Sequence, residues 1–142
     1  MRPIASLIIL LASLVFTSGP AFSQSMYDEE LSQLSGTLRA LMVRAERTRP
    51  SDATGRLTIQ QELFELSKKL HRLEEEAAAA NVALLSKINP PDRQLLLAAS
   101  ISKTLDLSAS LVSNYLDTRD KIFWSSAVGV AQSARTMQAA QR

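Results

Sequence analysis

An all-α fold, an antiparallel bundle of four helices behind an export leader, is what three observations in this sequence predict. Between Leu57 and Ile88 the apolar residues Ile59, Leu63, Leu66, Leu70, Leu73, Ala77, Ala80 and Leu84 fall alternately four and three apart. That spacing lines one side of a helix as a coiled-coil-type seam. Other stretches of the chain offer the same kind of seam, and a seam cannot stand uncovered in water. Finally, short segments rich in proline and other turn formers separate these stretches, as short connections between antiparallel neighbours do.

The chain opens on a stretch that reads as a leader rather than as fold. Arg2 supplies a positive start, Ile4 to Phe16 is an unbroken apolar run, and Gly19-Pro20 reads as a helix break. Ala21-Phe22-Ser23 then puts small residues where a signal peptidase reads, so cleavage is expected between Ser23 and Gln24. The domains expected are thus a signal peptide over 1–23 and a bundle over 24–142. An uncleaved anchor is the alternative, although the run falls short of the roughly 20 residues a span needs.

One of the 16 basic residues, Arg2, lies in that leader, which leaves 15 against 14 acidic residues. Binding nucleic acid needs a clustered basic excess, and here bases and acids are interleaved, so no nucleic-acid partner is expected. The chain has no cysteine. Disulfides, thiolate metal sites, covalent haem attachment and lipid attachment at cysteine are therefore excluded, and apolar burial must hold the fold together.

The first helix is expected from Ser25, capped by that residue with Asp28 completing a capping box, and Asp28, Glu29 and Glu30 suit the positive end of its dipole. Its seam is Tyr27, Leu31, Leu34, Leu38, Leu41 and Ala45. Gly36 lies off the seam. Arg44, Arg47 and Arg49 suit the far end, and Pro50 closes the helix. Residues 50–56, PSDATGR, read as a loop. The central helix is expected to start with Thr58 as N-cap and Gln61 reaching back, with Glu65 pairing Lys69 and Arg72 pairing Glu76 on its outer side. Asn89-Pro90-Pro91-Asp92 should stop it and cap the third helix.

That third helix has Ala98, Ile101, Leu105, Ser108, Val112 and Tyr115 on its seam, flanked by Leu97, Leu111 and Leu116, a face broad enough for more than one neighbour. Its far end is a fork. No proline or glycine stands between Arg93 and Val128, which favours one long helix. Yet the seam changes phase to Phe123, Ala127, Val130, Ala134 and Met137, which favours a fourth helix after a stop at Asn114 and a cap at Asp117 or Thr118. The fourth helix is the reading adopted. Ile122, Phe123 and Trp124 form a possible interaction surface, a homodimer contact if the last helix is not folded back.

No arrangement of residues announces chemistry: no catalytic, cofactor-binding or metal-binding residue is assigned. His71 follows seam residue Leu70 among Lys68, Lys69 and Arg72 and reads as a solvated histidine. Met26, Met42 and Met137 read as gap fillers rather than haem ligands. Glu74, Glu75 and Glu76 point three ways from a helix and read as a solvated face. Arg39, Arg44, Arg47, Lys68, Lys69 and Arg72 could hold a small dicarboxylate, as in a chorismate-mutase-like helical enzyme, but the interspersed Glu46, Glu62 and Glu65 make mutual pairing the simpler account. Ser125, Gly129 and Ser133 form a small-residue stripe expected to pack inside the bundle.

Leu57-Thr58-Ile59-Gln60-Gln61 resembles one copy of the LTxxQ motif of the periplasmic Spy and CpxP proteins, small helical stress-response factors. The likeness covers five residues, three of them specified, and that family carries two copies where this chain has one. The resemblance implies a concave, client-binding dimer. Taken with the leader and the seams, the expectation is an exported, bacterial periplasmic, non-enzymatic helical protein that acts through protein contacts as an adaptor, chaperone-like factor or structural module. Its protein partner is unknown, homodimerisation is possible, no cofactor is expected, and no membrane association remains after leader cleavage.

Overall fold

The computed structural model describes residues 19–85 and 93–140, with side chains over 27–81 and 94–140. Among these residues the chain forms four helices and no strand: α1 (Gly19–Arg47), α2 (Ala53–Leu85), α3 (Arg93–Thr118) and α4 (Lys121–Ala139). The apolar run Ile4–Phe16 and the Asn89–Asp92 punctuation lie outside the described residues. The all-helical bundle expected from the seams is therefore present, with α3 as its middle member: α1, α2 and α4 each pack on α3, α1 also lies along α2, and α4 rests chiefly on α3.

The seams explain the core. Leu31, Leu38 and Leu41 of α1, Leu70 and Leu73 of α2, and Ile101, Leu105, Val112 and Leu116 of α3 are fully buried. Each such side chain contributes about 1.5–3 kcal/mol relative to exposure. Every seam position assigned to α1 from Leu31 to Ala45, and to α2 from Ile59 to Ala77, is buried. On α3 the register needs adjustment: Tyr115 is only half-buried while Leu116 is enclosed, because three neighbours widen the buried arc beyond a two-stranded seam.

Two buried serines fix how α3 meets its neighbours. Ser102 Oγ donates to the Leu70 carbonyl of α2, and Ser108 Oγ donates to the Ala127 carbonyl of α4 at 2.8 Å. A buried hydroxyl without a partner is costly, and a short one can reach a neighbouring backbone only when the helices lie close. On α4 the matching residues are Ala127, Ala131 and Ala134, all buried. The α4 register expected from sequence is shifted accordingly, since Phe123, Val130 and Met137 are half-buried and flank this alanine line.

The helix ends correct several expectations. α1 is already running at Ser25, beginning at Gly19, so neither Ser25 caps it nor Gly19-Pro20 breaks it; proline is tolerated in a first turn. α2 begins at Ala53, capped by Asp52, whose Oδ1 accepts from the Gly55 amide at 2.9 Å. Thr58 is therefore interior, its hydroxyl donating to the Thr54 carbonyl at 2.9 Å. Most of the PSDATGR loop is thus helix, because aspartate outcompetes threonine as a cap one turn earlier.

The fork after α3 resolves into two helices, with the break placed later than expected. Asn114, Asp117 and Thr118 all lie within α3. Arg119 adopts a left-handed backbone, φ 56°, and Asp120 caps α4 by accepting from the Ile122 amide at 2.9 Å.

The different weights of these contacts are measurable. Leu70→Ala should lower unfolding free energy by about 2–5 kcal/mol through the cavity it opens. Ser108→Ala should cost no more than about 1.5 kcal/mol, since the Ala127 carbonyl keeps its intrahelical bond. Urea midpoints of the two variants check the order.

Candidate functional site

Polar straps hold α1, α2 and α3 in register. Arg44 of α1 grips Glu62 of α2 with both terminal guanidinium nitrogens, Nη1 and Nη2, at 2.6 and 2.9 Å. Arg72 of α2 reaches back to Glu30 of α1 at 2.6 Å and lies 3.8 Å from Glu76. Lys68 pairs with Glu65 at 2.8 Å, so Glu65 takes Lys68 rather than the expected Lys69. Across the α2–α3 joint, Gln60 donates to Asp117 at 2.7 Å and Ser67 donates to Asp106.

These pairings bear directly on the anion-pocket idea. Of the six cations that could have converged, Arg44, Lys68 and Arg72 are held by carboxylates. The groove between α1 and α2, about 400 Å³, is lined by Lys69 but also by Glu62 and Glu65, which would repel a dicarboxylate. Arg44's hydrogen bonds hold the Glu62 carboxyl below the usual carboxylate range, and the same bonds raise Arg44. Tyr27, at the other end of that joint, is pushed up by burial and then by Glu76 and Glu30.

His71 is largely exposed and faces Glu75 at 3.2 Å and Glu74 at 3.9 Å. The glutamate triplet thus spreads over two cations, His71 if protonated and Arg72. Met42 is buried in the core and Met137 packs against it. Among the described residues no three metal-ligating side chains cluster. The LTxxQ stretch is carried inside α2: Leu57 is 61% exposed, Ile59 is buried, and Gln60 points to α3. Its threonine–glutamine pairing does not cap a helix here.

The exposed large apolar residues include Val43 on α1 and Ile122 and Val128 on α4, and the larger group stands on α2 and α3. On α2 the register turns from Glu62, which meets α1, through the core to Gln60 and Ser67, which meet α3. Beyond them, on the side away from α1, come Leu57 and Phe64, 61% and 62% exposed. On α3, Leu96 and Leu107 lie eleven residues apart on one stripe, 45% and 53% exposed. A groove of about 130 Å³ joins the two helices, with Leu63, Phe64 and Ala109 as its apolar walls and Ser67, Ser110 and Ser113 as its hydroxyls. Lys68 Nζ stands 4.7 Å from the centre of the Phe64 ring.

The surface expected from sequence, Ile122 to Trp124, is divided. Trp124 is folded back, its ring 5.0 Å from that of Tyr115; Phe123 is half-buried, and Ile122 stays 71% exposed. The Ser125, Gly129 and Ser133 stripe, expected inside, is exposed, and a methyl group added at Gly129 would meet nothing within 4 Å. The alanines, thinner than serine and apolar, take the buried side instead. What periodicity missed is the α2–α3 face. Its signal was present in apolar residues lying off the seam, Leu57, Phe64, Leu96 and Leu107. α3 is also the one helix among the described residues long and apolar enough to cross a bilayer, a composition its central position accounts for.

No known protein family, curated protein or solved structure matches the chain.

A pH dependence follows from the Arg44–Glu62 strap. Because Glu62 is depressed in the folded state, its contribution is complete above the unfolded glutamate pKa and is lost as pH falls through the folded value. The pair is exposed, so the effect on stability is small. Carboxyl NMR titration should find Glu62 below the ordinary glutamate range in the native chain and back within it in Arg44→Ala.

Proposed function

We propose that this chain is an exported, periplasmic, non-enzymatic helical module that binds another protein through the face of α2 and α3 that α1 leaves open. The observation that carries the reading is the off-seam set Leu57, Phe64, Leu96 and Leu107, each 45% or more exposed on two adjoining helices. Single exposed leucines are ordinary, whereas apolar side chains gathered on one face mark a contact surface. The groove between α2 and α3 supports a protein occupant in particular: its serines give hydrogen-bonding edges to a narrow apolar floor, which suits side chains entering from a partner helix.

The export part of the proposal rests on the apolar run Ile4–Phe16 and the small residues before Gln24. Ser23 and Gln24 fall within α1 in the full chain. A peptidase reads extended backbone, so removal of the leader would have to precede folding of α1.

A photo-crosslinking amino acid in place of Phe64, compared with one in place of Arg39 on α1, tests the face in the producing cell. A discrete protein adduct at position 64, absent at 39 and abolished by Leu107→Glu, is expected; circular dichroism of Leu107→Glu should match the parent, since that side chain is already exposed. Equal adducts at both positions, or adducts to lipid alone, would overturn the reading.

A further inference from the structure

We propose that the corner between α1 and α2 holds a phosphate group, carried by a small soluble anion or by a lipid headgroup. The feature there is a set of cations that the chain itself does not neutralise. A groove of about 610 Å³ lies at the corner, lined by Arg44, Arg47 and Arg49 from α1 and the turn after it, and by Thr54, Gly55 and Ile59 from α2. Arg44 is taken by Glu62. Arg47 and Arg49 are exposed and, among the described residues, pair with no carboxylate. A third guanidinium reaches the same point from the other corner. Arg119 Nη1 donates at 2.8 Å to the carbonyl of Thr48, the residue between those two arginines, and its Nε and Nη2 are buried without a hydrogen-bond partner.

The neighbouring acids have other tasks. Asp52, the carboxylate that lines the groove, turns Oδ1 to the Gly55 amide, Asp117 accepts from Gln60, and Asp120 caps α4. Helix dipoles do not supply the missing charge either. α1 and α3 end here while α2 and α4 begin, so two negative ends, each equivalent to about half a charge, stand against two positive ones. By contrast, Arg72, further along the α1–α2 joint, meets two glutamates. What fits the corner is a tetrahedral dianion. Arg47 and Arg49 offer planar forks of N–H donors that phosphate oxygens match, and their two exposed charges answer the charge of a phosphate monoester near neutral pH. The groove is larger than phosphate alone, which leaves room for the molecule that carries it.

Amide NMR of the full chain, titrated with inorganic phosphate at constant ionic strength, reads the site at Thr48, Thr54 and Gly55. Saturable shifts of these amides are expected, absent when chloride replaces phosphate. The double substitution Arg47→Gln/Arg49→Gln should weaken binding by roughly tenfold or more, the order expected when two charge-assisted hydrogen bonds are lost. Arg39→Gln, which removes an exposed cation of α1 outside the groove, should leave binding unchanged. All three positions are exposed, so circular dichroism of each variant should match the parent.

Vesicle flotation separates the two carriers, with phosphatidylcholine vesicles reporting capture through the apolar leader alone. Phosphatidic acid vesicles that hold the parent more strongly than the double variant, while phosphatidylcholine vesicles hold both equally, assign a lipid headgroup. Equal capture of parent and variant by both kinds of vesicle, with the inorganic phosphate shifts intact, assigns a soluble phosphate compound. Shifts that chloride reproduces, or that survive the double substitution, would overturn the site. Succinate binding as tightly as phosphate would overturn its chemistry.

Discussion

Because α3 carries apolar side chains around much of its circumference, no single neighbour can cover it, and the rest of the bundle is arranged by how three neighbours share that task. α2 and α4 lie close, each receiving a hydroxyl from a buried serine, Ser102 or Ser108. α1 sits over α2 and α3 on leucines, Leu31, Leu38 and Leu41. A three-sided enclosure leaves a fourth side. That side is where Leu96 and Leu107 emerge, so the candidate docking face follows from the same composition that makes α3 the middle helix.

Periodicity sufficed for the helices and for most of the core, because a four-three repeat of leucines has a single interpretation once it runs for several turns. Ends were legible only where one residue dominated. Asp52 and Thr58 both had the chemistry of a cap, and only the backbone could decide between them. At the fork, the phase change of the seam rightly signalled a fourth helix, but its pivot, Arg119, is a residue type with no turn preference. Nothing local marks it. Its conformation is imposed by Asp120 capping the next helix and by Thr48 accepting the guanidinium, both of which are tertiary facts.

The candidate face was legible in principle and was overlooked for a physical reason. Leu57, Phe64, Leu96 and Leu107 stand outside the seams, and off-seam apolar residues carry no message until it is known which flanks of which helices adjoin. Leu57 and Phe64 are seven apart on α2 and Leu96 and Leu107 eleven apart on α3, so each pair was visibly a stripe. Which part of α3 lies opposite Leu57 and Phe64 depends on the α2–α3 register set by Gln60, Ser67 and Ser102. The cationic set failed in the converse way. Its members adjoin as expected for antiparallel α1 and α2, but carboxylates come with them, and the structure spends Arg44 and Arg72 on holding the two helices together.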